Sequence, residues 1–280
     1  RLNIITTVSE QQKYCKSIIN DHRGISLIPT MGNLHKGHES LLIKSNESNN
    51  RRIVSIFVNP LQFDMEKDYL EYPRSIEDDI KVLEKHKIDC LFMPEVKDIN
   101  LESKNKPESL PDYMNFLCGQ YRLGHFNGVF KIVKHLFEII SPSIVYFGKK
   151  DYQQILLIRY IIKKYFDNNI SLVECETIRD DSGLAMSSRN IHLSLSQRNK
   201  SSIIYKGLCS IRDKIKKDNN YNFDNLRKDL VSEAKKENIR IEYFELLKSE
   251  NLSEPSTNKD EQLTLLIAFY VSNIRLIDNI

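Results

Sequence analysis

The sequence predicts an α/β protein: a Rossmann-like, doubly wound parallel sheet followed by a smaller C-terminal α+β domain. Three observations carry that expectation. Through residue 175, short apolar runs rich in β-branched residues alternate with helix-patterned segments, as buried parallel strands alternate with their crossover helices. Pro, Gly or Asn stops each run. Beyond Cys175 the order changes to two amphipathic helices and then strands, which places a domain boundary there, 1–175 against 176–280.

The elements follow in order. Gly24 to Thr30 reads as a strand ending in a turn, and His38 to Asn46 as the start of a helix. Ile53 to Val58 is a second strand, dense in β-branched residues and stopped by Asn59-Pro60. Ser75–His86 is a helix with Ser75 as N-cap and Asp78 as its N3 acid, a variant of the capping box. Cys90 to Phe92 is a third strand ended by Pro94, and Ile144 to Phe147 a fourth ended by Gly148. Gln153 to Tyr165 reads as a helix. Asp98 to Pro111 is polar and aperiodic, an irregular excursion. In the second part, Leu195–Lys217 and Asn222–Glu237 are helices, and Ile241–Leu247, Leu263–Val271 and Ile274–Ile277 are strands. Residues 219–220 and 249–259 are expected to be turns or loops.

Bulk properties narrow the function. A chain of 280 residues has room for two domains, and 40% hydrophobic with 28% charged residues is the balance of a water-soluble globule. A net charge of +3 is thin for a dedicated nucleic-acid binder. Five scattered cysteines without a CxxC pair fit reduced thiols better than a disulfide framework or a structural zinc site. No apolar run approaches the ~20 residues of a membrane span, and the opening residues lack a signal-peptide layout. A cytoplasmic enzyme is the expectation.

The sharpest local signal is PTMGNLHKGH, residues 29–38, between the first strand and the first helix. Ligands of open α/β sheets bind beyond the carboxyl ends of the strands. A glycine-bearing turn there lets backbone N–H groups approach phosphate, and a following helix N-terminus favours negative charge. His35 and His38 supply donors that can also carry charge near neutral pH, suited to a departing pyrophosphate. The plainer alternatives are a metal pair, for which no third ligand stands at a familiar spacing, and a histidine that only caps or packs.

His-x-Gly-His at that junction resembles the nucleotidyltransferase superfamily. Seven motifs then occur in order: PTMGNLHKGH, FVNPLQF (57–63), YPR (72–74), YRLGHFNGV (121–129), FGKKDYQQ (147–154), GLAMSSRN (183–190) and RLIDN (275–279). Together they resemble the pantothenate synthetase (pantoate–β-alanine ligase) family along the whole chain. The resemblance implies an enzyme that activates pantoate with ATP and passes the adenylate to β-alanine, with Mg2+ carried mainly by ATP and no protein ligand named for it. It implies a homodimer, for which Ile53–Phe63 is one candidate contact.

Specific residues follow from the resemblance. His35, His38, Lys150, Ser187, Ser188 and Arg189 would be catalytic, with His38 a proton donor. The ATP site would be lined by Met31, Gly32, Asn33, Leu34, His35, Lys36, Gly37 and His38, by Gly148, Lys149, Lys150 and Asp151, and by Ile178 and Met186 to Arg189. Gln62 and Gln154 would recognise pantoate, with Gln62 also near β-alanine and Asn59 a helper. Arg122 and His125 are read as contacts to substrate, with a surface loop as the equal alternative. The second domain is expected to close over the nucleotide. Asp78 and Asp79 read as first-turn acids that favour the helix N-terminus, rather than as magnesium ligands. Leu123 stands where the family more often has proline, and Lys36 and Lys149 where an acid is common. Two rivals share parts of the pattern. Another nucleotidyltransferase would have no use for β-alanine, and a class I synthetase fragment would show a basic face.

Overall fold

The computed structural model describes residues 1–99, 108–218, 220–256 and 261–280. Parts of the expected Asp98–Pro111 excursion and of the expected turns at 219–220 and 249–259 therefore lie outside the described residues. The chain divides into two compact units, Arg1–Lys149 with Gln153–Glu176, and Lys150–Tyr152 with Thr177–Ile280.

The first unit holds six strands: β1 (Asn3–Ile5), β2 (Ile25–Thr30), β3 (Arg51–Ile56), β4 (Cys90–Phe92), β5 (Ile144–Gly148) and β6 (Ser171–Cys175). Their order is β1-β4-β3-β2-β5-β6, and every pairing is parallel. The chain works outward from β2 through β3 to β4, then returns to lay β5 on the other side of β2. That reversal makes the carboxyl ends of β2 and β5 a topological switch point, the place where open α/β sheets bind ligands. Residues 31–38 leave β2 there, and Gly148-Lys149 ends β5 beside it.

Burial on both faces explains why these strands read as continuous apolar runs. Ile28, Val54, Ile56 and Leu91 pack with Leu41 and Leu42 of helix Lys36–Ser45 and with Leu83 of helix Ile76–Lys85. Helix His125–Ile140 is apolar on most of its surface, with ten buried residues. β3 lies inside the sheet, and Ile53 and Val54 are fully covered within the chain. The strand part of the Ile53–Phe63 contact suggested for a dimer is therefore withdrawn.

Helix Ile76–Lys85 starts after Ser75, as expected, but without the capping box. The Ser75 hydroxyl bonds Asn33 Oδ1 at 3.2 Å and Asp79 Oδ1 at 3.3 Å, and Asp78 instead pairs with Lys81 at 2.8 Å. Asn33, from the turn after β2, and Asp79 and Lys81 of the same helix have taken the groups that the capping box would use.

The second unit contains helices Leu195–Lys217 and Phe223–Lys236 and a three-stranded antiparallel sheet, β7 (Ile239–Lys248), β8 (Leu263–Val271) and β9 (Ile274–Asn279), in that order. Leu208, Ile211, Leu230, Phe244, Ile267 and Phe269 form its core.

Candidate active site

The turn after β2 is built around Gly32 and Asp79. Gly32 has φ +79°, and a Cβ there would stand 3.0 Å from Asp79 Oδ2 and 3.1 Å from Ile56 Cγ2. Only glycine allows both the left-handed backbone and that approach. Asp79 is 2% exposed. Its carboxylate accepts the N–H of Asn33 at 2.9 Å and of Leu34 at 2.7 Å. Thr30 Oγ1 accepts the N–H of Gly32 at 3.2 Å and donates to Ser55 O.

The expected backbone cradle for phosphate is not what this turn provides. The N–H groups of Gly32, Asn33, Leu34, His35 and Gly37 all bond side chains of the same chain. The carboxylate of Asp79 takes the place that a phosphate oxygen has in a P-loop, so the turn presents its side chains instead.

Two of those side chains are the histidines. His35 is the N-cap of helix Lys36–Ser45 and accepts Gly37 N–H on Nδ1 at 3.1 Å. His38, at N3, accepts His35 N–H on its own Nδ1 at 3.3 Å. This is a capping box written in imidazoles. An accepting Nδ1 carries no proton, so each neutral ring holds its proton on Nε2 and offers it as a donor. The ring centroids lie 4.1 Å apart. Next along the helix, Glu39 bonds His86 Nε2 and Lys85 Nζ, each at 2.8 Å. The bonds from His86 first, and then from Lys85, hold its carboxyl below the ordinary value of 4.5.

Gln62 sits in the short 3-10 turn Pro60–Gln62, and a network of groups aims it. Asn59, fully buried, gives its Nδ2 to Gln62 Oε1 at 3.3 Å and to Gly128 O at 3.0 Å, and its Oδ1 accepts Leu61 N–H. Gln62 Nε2 donates to Met31 Sδ at 2.9 Å, which ties this turn to the one after β2. The YRLGHFNGV motif packs behind it. A Cβ on Gly128 would fall 2.2 Å from Leu61 O, so glycine is what lets helix His125–Ile140 lie on the turn. His125 Nδ1 donates to Gln62 O at 2.6 Å, and Arg122 Nη1 donates to His125 Nε2 at 3.2 Å. Arg122 also reaches Asp64 at 3.3 Å. Arg122 and His125 are thus in contact with the Gln62 turn itself. Gln153 is spent on structure, bonding Cys118 N, Tyr113 O and Phe116 O, while its neighbour Gln154 is half-buried.

The remaining predicted residues, apart from Gly148 and Lys149, belong to the second unit. Lys150 Nζ stands 3.5 Å from Asp151 Oδ1, and Lys150 O accepts Asn279 Nδ2 at 2.8 Å. A hairpin closes between Ile178 O and Met186 N at 2.8 Å and leads into the turn Ser188–His192, with Ser187 as its cap. Arg189 Nη1 donates to Arg275 O at 3.3 Å. The hairpin is held by a residue that the sequence reading passed over. Arg179 forks onto Asp278 at 2.6 and 2.8 Å, donates to Gly183 O, and lies 3.7 Å above the Tyr205 ring. The RLIDN motif therefore secures both the hairpin and Lys150. In the first unit, Lys149 pairs with Glu176 at 2.5 Å, and its N–H bonds Cys175 O.

Among the described residues, no three His, Cys, Asp or Glu side chains form a group fit to hold a metal ion. Both Asp79 oxygens already accept hydrogen bonds, and Asp78 faces Lys81. No described helix is long and apolar enough to cross a membrane.

A parallel sheet with polar donors gathered at its switch point is the build of an α/β enzyme that binds a small polar ligand at its strand ends. Residues 3–280 match the family model for pantoate-beta-alanine ligase. Pantothenate synthetases from Thermotoga petrophila and Caldicellulosiruptor saccharolyticus are 35% and 36% identical, covering 99% of this chain and 99% and 98% of their own. The crystal structure of pantothenate synthetase from Thermus thermophilus superposes with a TM-score of 0.89 at 30% identity, covering 99% of this chain and 98% of that one. The ligase from Francisella tularensis, complexed with beta-gamma ATP and beta-alanine, superposes at 0.81 with 33% identity, covering 100% and 97%. The chain belongs to the pantoate–β-alanine ligase family.

Proposed function

We propose that this chain joins pantoate to β-alanine with ATP through a pantoyl adenylate, releasing pyrophosphate and then AMP. One observation carries the reading. A helix cap locks two imidazoles as Nε2–H donors at the switch point, and Met31 links their turn to the carboxamide of Gln62.

The chemistry needs both. A pantoate carboxylate oxygen attacks the α-phosphorus, and the bond to the bridging oxygen of pyrophosphate breaks. No general base is required, because the nucleophile is already an anion. The demand is for alignment and for donors that meet charge growing on the departing pyrophosphate. His35 and His38 supply such donors: each neutral ring keeps its Nε2 proton and hydrogen-bonds the departing pyrophosphate through it. The ammonium of Lys150 and the Ser187, Ser188 and Arg189 cluster serve phosphate oxygens. Met31 to His38, Gly148 to Asp151, Ile178 and Met186 line the nucleotide. Gln62 and Gln154 bind pantoate without a competing charge, and Asn59 keeps Gln62 aimed. Arg122 and His125 serve pantoate or β-alanine indirectly, through the Gln62 turn they hold. The neutral amine of β-alanine then attacks the acyl carbon, and AMP leaves with the former carboxylate oxygen.

Magnesium enters this reading as part of the substrate, carried on the phosphates of ATP. The reading also places the enzyme in the cytoplasm as a homodimer. The test is pyrophosphate release from MgATP. Pantoate alone should give a stoichiometric burst, and added β-alanine should convert it to steady turnover. His38→Ala and Lys150→Ala should each suppress the burst in a folded protein. A folded wild-type protein that binds ATP but gives neither burst nor turnover would overturn the reading.

A further inference from the structure

Asp79 stands outside the reacting groups, yet the geometry of the histidine turn runs through it. Asp79 is 2% exposed, and its carboxylate meets two successive backbone N–H groups, at 2.9 and 2.7 Å; the one Ser75 hydroxyl proton, 3.3 Å from it, is shared with Asn33 Oδ1. One of the residues it holds, Asn33, has φ +51°, in the left-handed region that asparagine adopts more readily than other side-chained residues. Ser75 braces the same residue from the other side through Asn33 Oδ1 at 3.2 Å. Gly32 has no Cβ where one would meet the carboxylate at 3.0 Å. Directly after Leu34 comes His35, whose backbone N–H is the donor that sets the tautomer of His38.

We infer that Asp79 is a positioning residue for adenylate formation: its buried carboxylate locks the Gly32–Leu34 turn, and through it the Nε2–H donors of His35 and His38. The inference rests on the reading that this turn serves the phosphates of ATP. The chain has placed its own anion against the amides of the turn, so the turn's shape exists before any nucleotide arrives. Preorganised donors need no rearrangement as charge develops, which is where they act on rate. Burial also makes the carboxylate hard to replace. An isosteric amide keeps one acceptor but turns an NH2 toward a backbone N–H, leaving a buried donor without an acceptor.

The experiment uses Asp79→Asn and Ser75→Ala in the full-length protein and measures the two half-reactions separately. Adenylate formation is read from the pyrophosphate burst, and amide formation from pre-formed pantoyl adenylate with β-alanine. Misplacement of catalytic groups by an ångström costs about 100-fold, so Asp79→Asn should slow the burst by that order. Ser75→Ala removes one brace and should slow it by about threefold, near 0.7 kcal/mol. Amide formation, which needs no pyrophosphate donor, should stay within about twofold of wild type in both, since 1.4 kcal/mol would already be tenfold. A merely structural role would lower both half-reactions together, and that result overturns the inference. So does an unchanged burst in folded Asp79→Asn. If Asp79→Asn fails to fold, Ser75→Ala decides by the same split. An inactive wild type would instead refute the functional reading on which this rests.

Discussion

Substituting Asp278 by Asn tests how the second unit holds its hairpin. The Asp278 side chain is 3% exposed, and its partner Arg179 is 15% exposed. The bond is a two-pronged fork, at 2.6 and 2.8 Å, and the guanidinium also stacks on Tyr205. Removing one partner of a buried pair costs about 3–5 kcal/mol, because the charge left behind has no counterpart. Arg179 keeps some water and keeps its bonds to Gly183 O and Asn279 O, so the lower end, about 3 kcal/mol, applies. For a cooperative block of about a hundred residues, each kcal/mol moves the midpoint by about 4 °C, giving a fall near 12 °C. Scanning calorimetry of wild type, Asp278→Asn, Arg179→Met and the double variant measures it. The double variant should lose little more than the worse single one. A fall below about 4 °C, or strictly additive losses, would refute the reasoning.

Gln154→Ala should raise the pantoate requirement with ATP binding largely kept, and unchanged pantoate dependence would remove Gln154 from that role. His125→Ala should act in the same direction, because Gln62 O loses its 2.6 Å donor; a hydrogen bond of about 1–1.5 kcal/mol translates to roughly tenfold in the pantoate constant. Alkylation of the native protein should mark Cys209 first, since burial pushes Cys90 up to about 12 and Cys175 up to about 11; prior labelling of either would contradict this. Glu39 has a lowered pKa in the folded state, so its contribution to stability is present above the ordinary 4.5 and is lost as pH falls through the folded value. Glu39→Gln should therefore flatten acid unfolding below that pH, which a urea titration at several pH values would show.

What the sequence revealed depended on how far apart the interacting groups lie. The strands β2 to β5 were legible because burial on both faces leaves continuous apolar runs. The edge strands were not: β1 has only three residues, two of them exposed, and β6 is mostly half-buried, with Glu174 turned to Arg159. Helix His125–Ile140 was also missed, although its buried residues Phe126, Val129, Phe130, Val133, Phe137 and Ile140 recur at helical spacing. The His-x-Gly-His turn announced itself, since its residues are consecutive. Its anchor did not. Asp79 looked like any first-turn acid, and only the fold shows it buried against residues more than forty positions away. Arg179 and Asp278 are 99 positions apart, a pairing that no local pattern encodes. The backbone phosphate cradle was a fair inference from a glycine-bearing turn, and it failed because that turn spends its amides on its own side chains.

The central claim is that the pantoate carboxylate attacks the α-phosphorus of ATP. Pantoate labelled with 18O in its carboxylate tests it most directly, with the products resolved by mass spectrometry. The account predicts one labelled oxygen in AMP, the other retained in the amide, and none in pyrophosphate. Label in a phosphate derived from the γ-position, with ADP as co-product, would mean an acyl phosphate instead and would contradict the account.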